Sequence, residues 1–342
     1  MDLTCASPCD LSFPSDGERR GRSNPAIAAG YDGLRRNSPA DVVDGLSVDL
    51  EDYFQVEAFA ASVPRSRWPL FNSRSRRNTL RTLELLARNG CRATFFVLGW
   101  VAERDPGLIQ EVAAAGHELA CHSHLHRPLY QLKPSEFRED LRRSRDAIES
   151  AAGTRVFGFR APTFSITEES SWALEILAEE EFEYDSSIFP VHHDLYGMPK
   201  APRWIHLRHL PSGRTIWEIP PSTVRIGGTN IPFGGGGYLR QLPMTFTRWA
   251  IKNLHVRERQ PVIVYFHPWE LDPDQPRIAG NWKSRIRHYR GLDKTAERLN
   301  EILSRGTFQP LANLVGAAAG VQKHVPEQVA SEAERAMPAF AS

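Results

Sequence analysis

The chain has 342 residues, which is enough for two domains or for one large α/β barrel with appendages. Hydrophobic residues make up 41% of it and charged residues 24%, a composition that excludes a disordered chain. Lys and Arg (42) exceed Asp and Glu (41) by a single charge, so no overall basic field would attract nucleic acid. No apolar run approaches the roughly 18 residues that span a bilayer, so we do not expect an integral membrane protein.

The predicted elements alternate between strands and helices. In chain order they are a strand at 45–48, a helix at 78–88, a strand at 93–97, a helix from Pro106 to Gly116 with Asp105 as its N-cap, a strand at 118–121, a helix at 134–150, a strand at 156–159, a helix around 172–177 capped by Thr167, and strands at 182–184 and 262–266. This order predicts an α/β fold with a mainly parallel sheet.

The two ends of the chain differ in composition from its middle. Residues 1–42 are rich in Ser, Pro, Gly and Arg without an apolar period, and we predict a flexible extension there. A C-terminal tail is predicted for residues 313–342. No basic leader followed by an apolar stretch is visible at the start, so we expect a cytoplasmic or membrane-peripheral location.

A polar side chain directly follows five of the predicted strands. These residues are Asp49, His122, Arg160, Asp185 and His267. In a parallel α/β barrel the carboxyl ends of the strands converge on one mouth, where active sites of this architecture lie. The sequence therefore predicts that these five side chains line one site.

Three histidines lie within five residues, at His122, His124 and His126. If a helical turn follows the strand, His122 and His126 share a face with their Cβ atoms about 5 to 6 Å apart, which suits two imidazoles on one divalent cation. The acid-rich stretch 49–52 can supply the missing carboxylate ligand. An exposed polar loop or a capped helix start is the alternative interpretation of the cluster.

General acid and base groups have to come from other strand ends. A metalloprotease pattern is excluded because Ser123 stands where that pattern carries its general base, so Asp49 becomes the candidate base. Arg160 can pair with a carboxylate in the mouth and hold it ionised, or form an ordinary surface ion pair. His267 can protonate a leaving group at neutral pH, or be structural. Phe164 and Trp269 can form apolar walls for a sugar ring, or pack in the core.

Four motifs in this order resemble the polysaccharide deacetylases of the NodB-homology type, carbohydrate esterase family 4. They are Ser47-Val48-Asp49-Leu50-Glu51-Asp52, His122-Ser-x-x-His126, Arg160-Ala161-Pro162 and His267-Pro268-Trp269. The stretches at 49–54, 94–100, 160–165 and 266–270 are similar to the branch found in exopolysaccharide loci of the exosortase type, with a C-terminal extension from about residue 200. The resemblance spans about residues 43–312 and implies a distorted, incomplete (β/α) barrel.

The resemblance also implies an activity, namely the metal-dependent hydrolysis of N-acetyl groups from N-acetylhexosamine units of a polysaccharide. Zinc is the expected metal, with cobalt, nickel or manganese as alternatives. By motif, the implied roles are metal binding for His122 and His126, general base for Asp49, orientation of that base for Arg160, and general acid for His267.

The first motif departs from the pattern of two adjacent aspartates that many members have, because Leu50 follows Asp49. The carboxylate ligand is then Glu51 or Asp52. Glu51 is preferred because strand alternation returns it to the face of Asp49. We further expect an oxyanion-stabilising backbone N–H near Phe164, and substrate contacts from Pro162, Phe164, Asp185 and Trp269.

Two other functions stay open on the sequence. A catalytically silent glycan-binding protein on the same scaffold is suggested by the altered first motif. Hydrolysis of a small cyclic or linear amide is the second alternative, and an apolar, closed pocket would favour it.

Overall fold

The computed structural model of the protein describes residues 42–320. Its strands are β1 Val43–Leu50, β2 Thr94–Val97, β3 Glu118–Cys121, β4 Gly158–Phe159, β5 Tyr184–Asp185, β6 His206–His209, β7 Thr215–Glu218, β8 Thr223–Ile226, β9 Thr229–Pro232, β10 Ile263–Phe266 and β11 Thr307–Gln309. Its α-helices are α1 Ser75–Arg88, α2 Gly99–Arg104, α3 Pro106–Ala114, α4 Pro134–Ala152, α5 Ala173–Glu179, α6 Gly236–Gln241, α7 Met244–Asn253, α8 Trp282–Tyr289, α9 Thr295–Leu303 and α10 Leu311–Ala318.

Nine of the strands form one curled sheet in the order β10-β1-β2-β3-β4-β5-β7-β6, and β11 pairs additionally with β1. Every pair in this sheet is parallel except β6 with β7, which is antiparallel. Strands β8 and β9 form a separate hairpin. The predicted α/β fold with a mainly parallel sheet is therefore confirmed, and the sheet has the incomplete barrel form that the family resemblance implies.

The sheet separates two apolar clusters. One lies between the sheet and the helices and contains Leu46, Val48 and Leu50 of β1. The other lies on the opposite face, where Phe96 and Ile263 pack with Leu311 and Leu314 of α10. Helix α10 is fixed at the amino ends of the strands, because its first N–H donates to the Thr94 hydroxyl at 2.7 Å. The carboxyl ends are left to form the site.

Several predicted boundaries need correction. Thr167 does not cap α5, since its hydroxyl lies 3.2 Å from that of Ser170 in the preceding turn and the helix begins only after Trp172. The predicted tail boundary at residue 312 falls inside α10, which is packed in the core, so the folded unit extends at least to Ala318. The predicted extension up to residue 41 and the stretch beyond 320 lie outside the described residues.

The sequence patterns did not predict strands β6 to β9 or β11.

Within residues 42–320, every helix is too short or too polar to pass through a lipid bilayer.

Gly158 allows β4 and β5 to approach each other closely. A Cβ atom at this position would lie 2.1 Å from Cζ and 2.2 Å from Oη of Tyr184, whose hydroxyl donates to Glu118 at 2.8 Å. The ring is fully buried and held by that hydrogen bond, so it cannot move aside freely.

We expect Gly158→Ala to lower the free energy of unfolding by about 1 to 3 kcal/mol through overpacking. Gly107→Ala is the matched control. Gly107 lies in helix α3, and the nearest neighbour of an added Cβ atom would be the far end of the flexible Arg76 side chain, at 3.2 Å. Denaturant unfolding of both variants measures the difference. Equal stability of the two variants would contradict the close approach.

Candidate active site

A cavity of about 1130 Å³ lies at the carboxyl ends of the strands. Five of the residues predicted from the sequence as catalytic or metal-binding line it, namely Asp49, Glu51, His122, His126 and His267. Phe164 and Trp269, two of the predicted substrate contacts, also line it. The structure thus brings together side chains as distant in the chain as Glu51 and Trp269, which are 218 positions apart.

Glu51, His122 and His126 form the centre of this site. One ligating atom from each lies within 4.8 Å of the others, and all three residues are buried. The Glu51 Oε2 to His126 Nε2 distance is 2.9 Å. Two imidazoles and one carboxylate are a donor set typical of catalytic zinc centres. These three residues therefore fit a divalent cation.

The backbone brings His126 into place through a loop, and not through the helical turn that was considered from the i, i+4 spacing. Ser123 has a φ of 63° and His126 a φ of 51°, both in the left-handed region that residues other than glycine rarely adopt. The Ser123 hydroxyl accepts a hydrogen bond from the His126 N–H at 3.1 Å, which stabilises the bend. This left-handed loop turns His126 back towards His122, with ring centroids 5.3 Å apart.

Arg65 stabilises the same loop and was missed by the sequence analysis. Its guanidinium donates at 2.6 Å to the carbonyl of Leu125 and at 2.6 Å to that of His126. Arg65 precedes Leu125 by 60 positions, and no local sequence pattern connects the two segments. Only the folded chain shows the contact.

The electrostatics of the centre suit metal ligands. His122 is held by a 2.8 Å hydrogen bond between its Nδ1 and the carbonyl of Arg160, which leaves Nε2 for the cavity. Burial lowers the pKa of His122 to about 4, so this imidazole stays neutral. Burial alone would raise the pKa of Glu51, but the nearby imidazoles of His126, His267 and His122 outweigh it and bring that pKa to about 2.

Asp49 is oriented by a buried ion pair. Arg160 Nη1 donates to Asp49 Oδ1 at 2.7 Å and to the Ser47 hydroxyl at 2.8 Å, while Nη2 donates to Ser186 at 2.7 Å. The other carboxylate oxygen of Asp49 lies 3.8 Å from His267 Nε2. Asp49 therefore presents one oxygen to the cavity and has the other fixed.

His267 is held on its far side by Glu270, which the sequence analysis did not single out. The Nδ1 to Glu270 Oε1 distance is 2.6 Å, and Nε2 faces the cavity 3.6 Å from Glu51 Oε1. Burial opposes protonation, but the hydrogen bond to Glu270 and the neighbouring carboxylates raise the pKa of His267 to about 9. The other oxygen of Glu270 is 2.5 Å from Nε of the buried Arg240. The spacing of a capping box could have indicated Glu270, because it stands three residues after His267. In the structure Glu270 accepts the N–H of His267 at 3.0 Å.

Asp52, which was predicted as an alternative metal ligand, does not line the cavity. One of its oxygens accepts the N–H of Tyr53 at 2.9 Å, and the other accepts those of Arg74 and Ser75, at 2.7 and 3.1 Å, at the start of α1. Both oxygens are therefore engaged by backbone donors away from the cavity, and Glu51 is the acid that lies with His122 and His126.

Three further predictions need correction. Asp185 does not line the cavity, because it is fully buried beneath it and accepts hydrogen bonds from the N–H and the hydroxyl of Ser187, at 3.1 and 2.5 Å. Pro162 is buried in a 3₁₀ turn and does not line the cavity either. The Phe164 N–H, expected as an oxyanion donor, is engaged within its own turn by the carbonyl of Ala161 at 3.1 Å.

Two family models match the chain. Residues 65–180 match the model described as polysaccharide deacetylase, and residues 186–316 match a domain of unknown function (DUF3473). The first match contains His122, His126 and Arg160, whereas His267 and Glu270 fall in the second. Asp49 and Glu51 precede both.

Comparison with individual proteins also finds similarity to deacetylases. The chain is 29% identical over 154 residues to a peptidoglycan deacetylase-like protein of Gibberella zeae, which covers 41% of this chain and 45% of that protein. It is 30% identical over 98 residues to a peptidoglycan-N-acetylglucosamine deacetylase of Bacillus cereus, covering 28% of this chain and 36% of that protein. The chain thus spans less than half the length of these curated relatives.

A crystal structure from Mycobacterium smegmatis, of a protein assigned to the polysaccharide deacetylases, resembles this chain with a TM-score of 0.56 at 18% identity. The superposition covers 90% of this chain and 96% of that chain. At this identity the likeness shows the fold.

Glu51 and Asp52 are adjacent in the chain but have different partners, so we expect different effects when each is replaced. Glu51→Ala is expected to abolish metal binding, because the cation loses its only carboxylate ligand among the three donors. Asp52→Ala is expected to keep the metal but to lose about 1 to 3 kcal/mol of unfolding free energy, because buried N–H groups lose their acceptor. Metal content after dialysis and denaturant unfolding test both. Loss of metal from a folded Asp52→Ala variant would contradict the assignment.

Proposed function

Because this chain belongs to the polysaccharide deacetylase family, we propose that it is a polysaccharide N-deacetylase that hydrolyses the N-acetyl groups of N-acetylhexosamine units with the help of a divalent metal ion. The observation that carries the proposal is the Glu51, His122 and His126 cluster, which lies in one cavity with Asp49 and His267. Hydrolysis of an amide needs an activated water, a base and an acid, and this constellation offers a group for each.

The metal would be held by Glu51, His122 and His126, with zinc as the first candidate and cobalt, nickel or manganese as alternatives. Bound there, a divalent cation would lower the pKa of a water molecule and polarise the acetamide carbonyl. The close approach of Glu51 Oε2 to His126 Nε2, at 2.9 Å and buried from solvent, supports this assignment, because a cation placed there would bind both atoms.

The residues of the chain would supply the proton transfers. Asp49 accepts the proton of the attacking water, with its free oxygen towards the cavity and the other held by Arg160. His267 donates a proton to the nitrogen of the departing amino sugar, because Glu270 holds its Nδ1 and leaves Nε2 facing the cavity. The C–N bond breaks, and the products are acetate and a free amino sugar.

We further infer a substrate of exopolysaccharide biosynthesis. The support is the motif resemblance to the exosortase-type branch, with which a match of residues 186–316 to a domain of unknown function is compatible.

The two alternatives have weaker support. A silent glycan-binding protein was suggested by the altered first motif, but Glu51 lies with His122 and His126 and could supply the carboxylate that the departure at Leu50 put in question. A small-amide hydrolase would be favoured by an apolar, closed pocket. Ionisable side chains, among them Glu57, Lys283 and Arg287, stand in the lining beside the apolar ones, so the cavity is not the purely apolar pocket that this alternative expects.

We expect the purified protein to contain about one divalent ion per chain and to release acetate from N-acetylated oligosaccharides. His126→Ala should lose the ion and more than about 100-fold of the activity together, because it removes a ligand. Asp49→Asn should keep the ion but lose about 100-fold or more of kcat, because it removes the base. Elemental analysis and an acetate assay measure the two effects.

His124→Ala is the matched control for His126→Ala. His124 is buried in the same motif but stands outside the ligand cluster, so the folded variant should retain its metal. Full activity in His126→Ala would refute the site assignment. Acetate release that Asp49→Asn abolishes would eliminate the silent-binder alternative.

Glu270→Gln tests the role of His267. The amide keeps the shape but weakens the hydrogen bond to Nδ1, so we expect kcat to fall about 10- to 100-fold while the metal content is unchanged. Because Arg240 would lose its buried partner, the melting temperature of the variant has to be recorded alongside. An unchanged kcat in a folded variant would show that Glu270 does not position the acid.

A further inference from the structure

One wall of the cavity has an unusual local charge. Residues 275–291 contain five Lys and Arg residues and no Asp or Glu, although the whole chain has a net charge of only +1. Helix α8 forms the centre of this segment. Three of the five cations, Lys283, Arg287 and Arg290, line the cavity, and we call them the basic rim.

The basic rim is not neutralised within the folded chain. Among residues 42–320, none of its three side chains forms an ion pair with a carboxylate, so the positive charge faces solvent and the cavity. Lys283 instead lies over the ring of Trp282, with Nζ 5.8 Å from its centroid.

The acids of the cavity do not cancel this charge. Asp49 is paired with Arg160, Glu51 belongs to the cluster proposed to hold the metal, and Glu57 is paired with Arg65 at 3.5 Å. Asp194 is the remaining acid of the lining, so one carboxylate is present for the three cations of the basic rim. The cavity wall at α8 is therefore electropositive.

The same helix exposes a flat apolar surface to the cavity. Trp282 is 68% exposed and Ile286 48% exposed, and both line the cavity. An exposed indole is costly to leave in water and offers a face on which the C–H groups of a sugar ring can pack. Cations and an exposed aromatic ring on one wall of a glycan-processing cavity favour a ligand that is both ring-shaped and anionic.

We propose that the polysaccharide substrate is acidic, and that its anionic groups bind the basic rim while a neighbouring sugar ring packs on Trp282. This inference rests on the proposed deacetylase function, because it concerns the sugars beside the acetylated unit. An anionic membrane surface could also bind cations and tryptophan. The glycan is favoured because the basic rim shares one cavity with the Glu51, His122 and His126 cluster.

The test compares two oligosaccharides of equal length, one of N-acetylglucosamine alone and one in which N-acetylglucosamine alternates with glucuronic acid. Binding to Asp49→Asn is measured by calorimetry, so that no turnover is needed, and acetate release by the unmodified protein is measured separately. We expect the acidic oligosaccharide to bind about tenfold more tightly at low salt, and this preference to shrink as added salt screens the charges.

Lys283→Gln with Arg287→Gln, added to Asp49→Asn, should reduce the preference to about twofold or less. Arg285→Gln is the matched control, because Arg285 lies on α8 but does not line the cavity, and it should leave the preference unchanged. Equal binding of both oligosaccharides, or a preference that survives the double substitution, would overturn the proposal. So would binding to phosphatidylglycerol vesicles that depends on Lys283 and Arg287 without any preference for the acidic oligosaccharide. Absence of acetate release from either substrate would count against the deacetylase function alone.

Discussion

The site depends on the buried ion pair between Arg160 and Asp49. A charged guanidinium with no exposed surface is tolerated only where partners satisfy it, and Arg160 finds them in Asp49, Ser47 and Ser186. Its guanidinium also lies 4.2 Å from the ring centroid of Phe96. These contacts tie β1, β2 and β4 together at their carboxyl ends. Because the carbonyl of Arg160 also holds His122, one residue positions both the predicted base and one predicted metal ligand.

A second buried network positions the opposite side of the cavity. Arg240 donates to the carbonyls of His288 and Arg290, at 2.7 and 2.9 Å, and pairs with Glu270, which in turn holds His267. Trp269 stacks on His267 with ring centroids 5.0 Å apart and donates its indole N–H to Glu51 at 3.1 Å. The acid side and the ligand cluster are therefore joined through a single indole.

Much of the site could be predicted because polar residues at strand ends carry a local signal. A run of apolar residues followed by Asp49, His122, Arg160 or His267 is visible without the fold, and the parallel sheet then brings the ends together. The choice of Glu51 over Asp52 also followed from strand parity. What Asp52 does instead could not be predicted, because its partners at Arg74 and Ser75 are more than twenty positions away.

The other errors have similar physical causes. Asp185 stands at a strand end like the others, but β5 is only two residues long and Ser187 engages its carboxylate below the cavity. The left-handed φ angles of Ser123 and His126 depend on tertiary contacts such as those of Arg65, which no residue pattern encodes. Strands β6 and β9 have no fully buried residues, so they lack the apolar alternation that marks the central strands.

The junction between the two family matches falls beside β5, in the middle of the sheet. Strand β5 pairs with β4 on one side and with β7 on the other, so hydrogen bonds run without interruption from one match into the next. The two matches therefore share one continuous sheet, and a cut at residue 185 would divide it between neighbouring strands. A hybrid made there would take Glu51, His122 and His126 from one parent and His267 with Glu270 from the other, and both groups would still have to meet in one cavity.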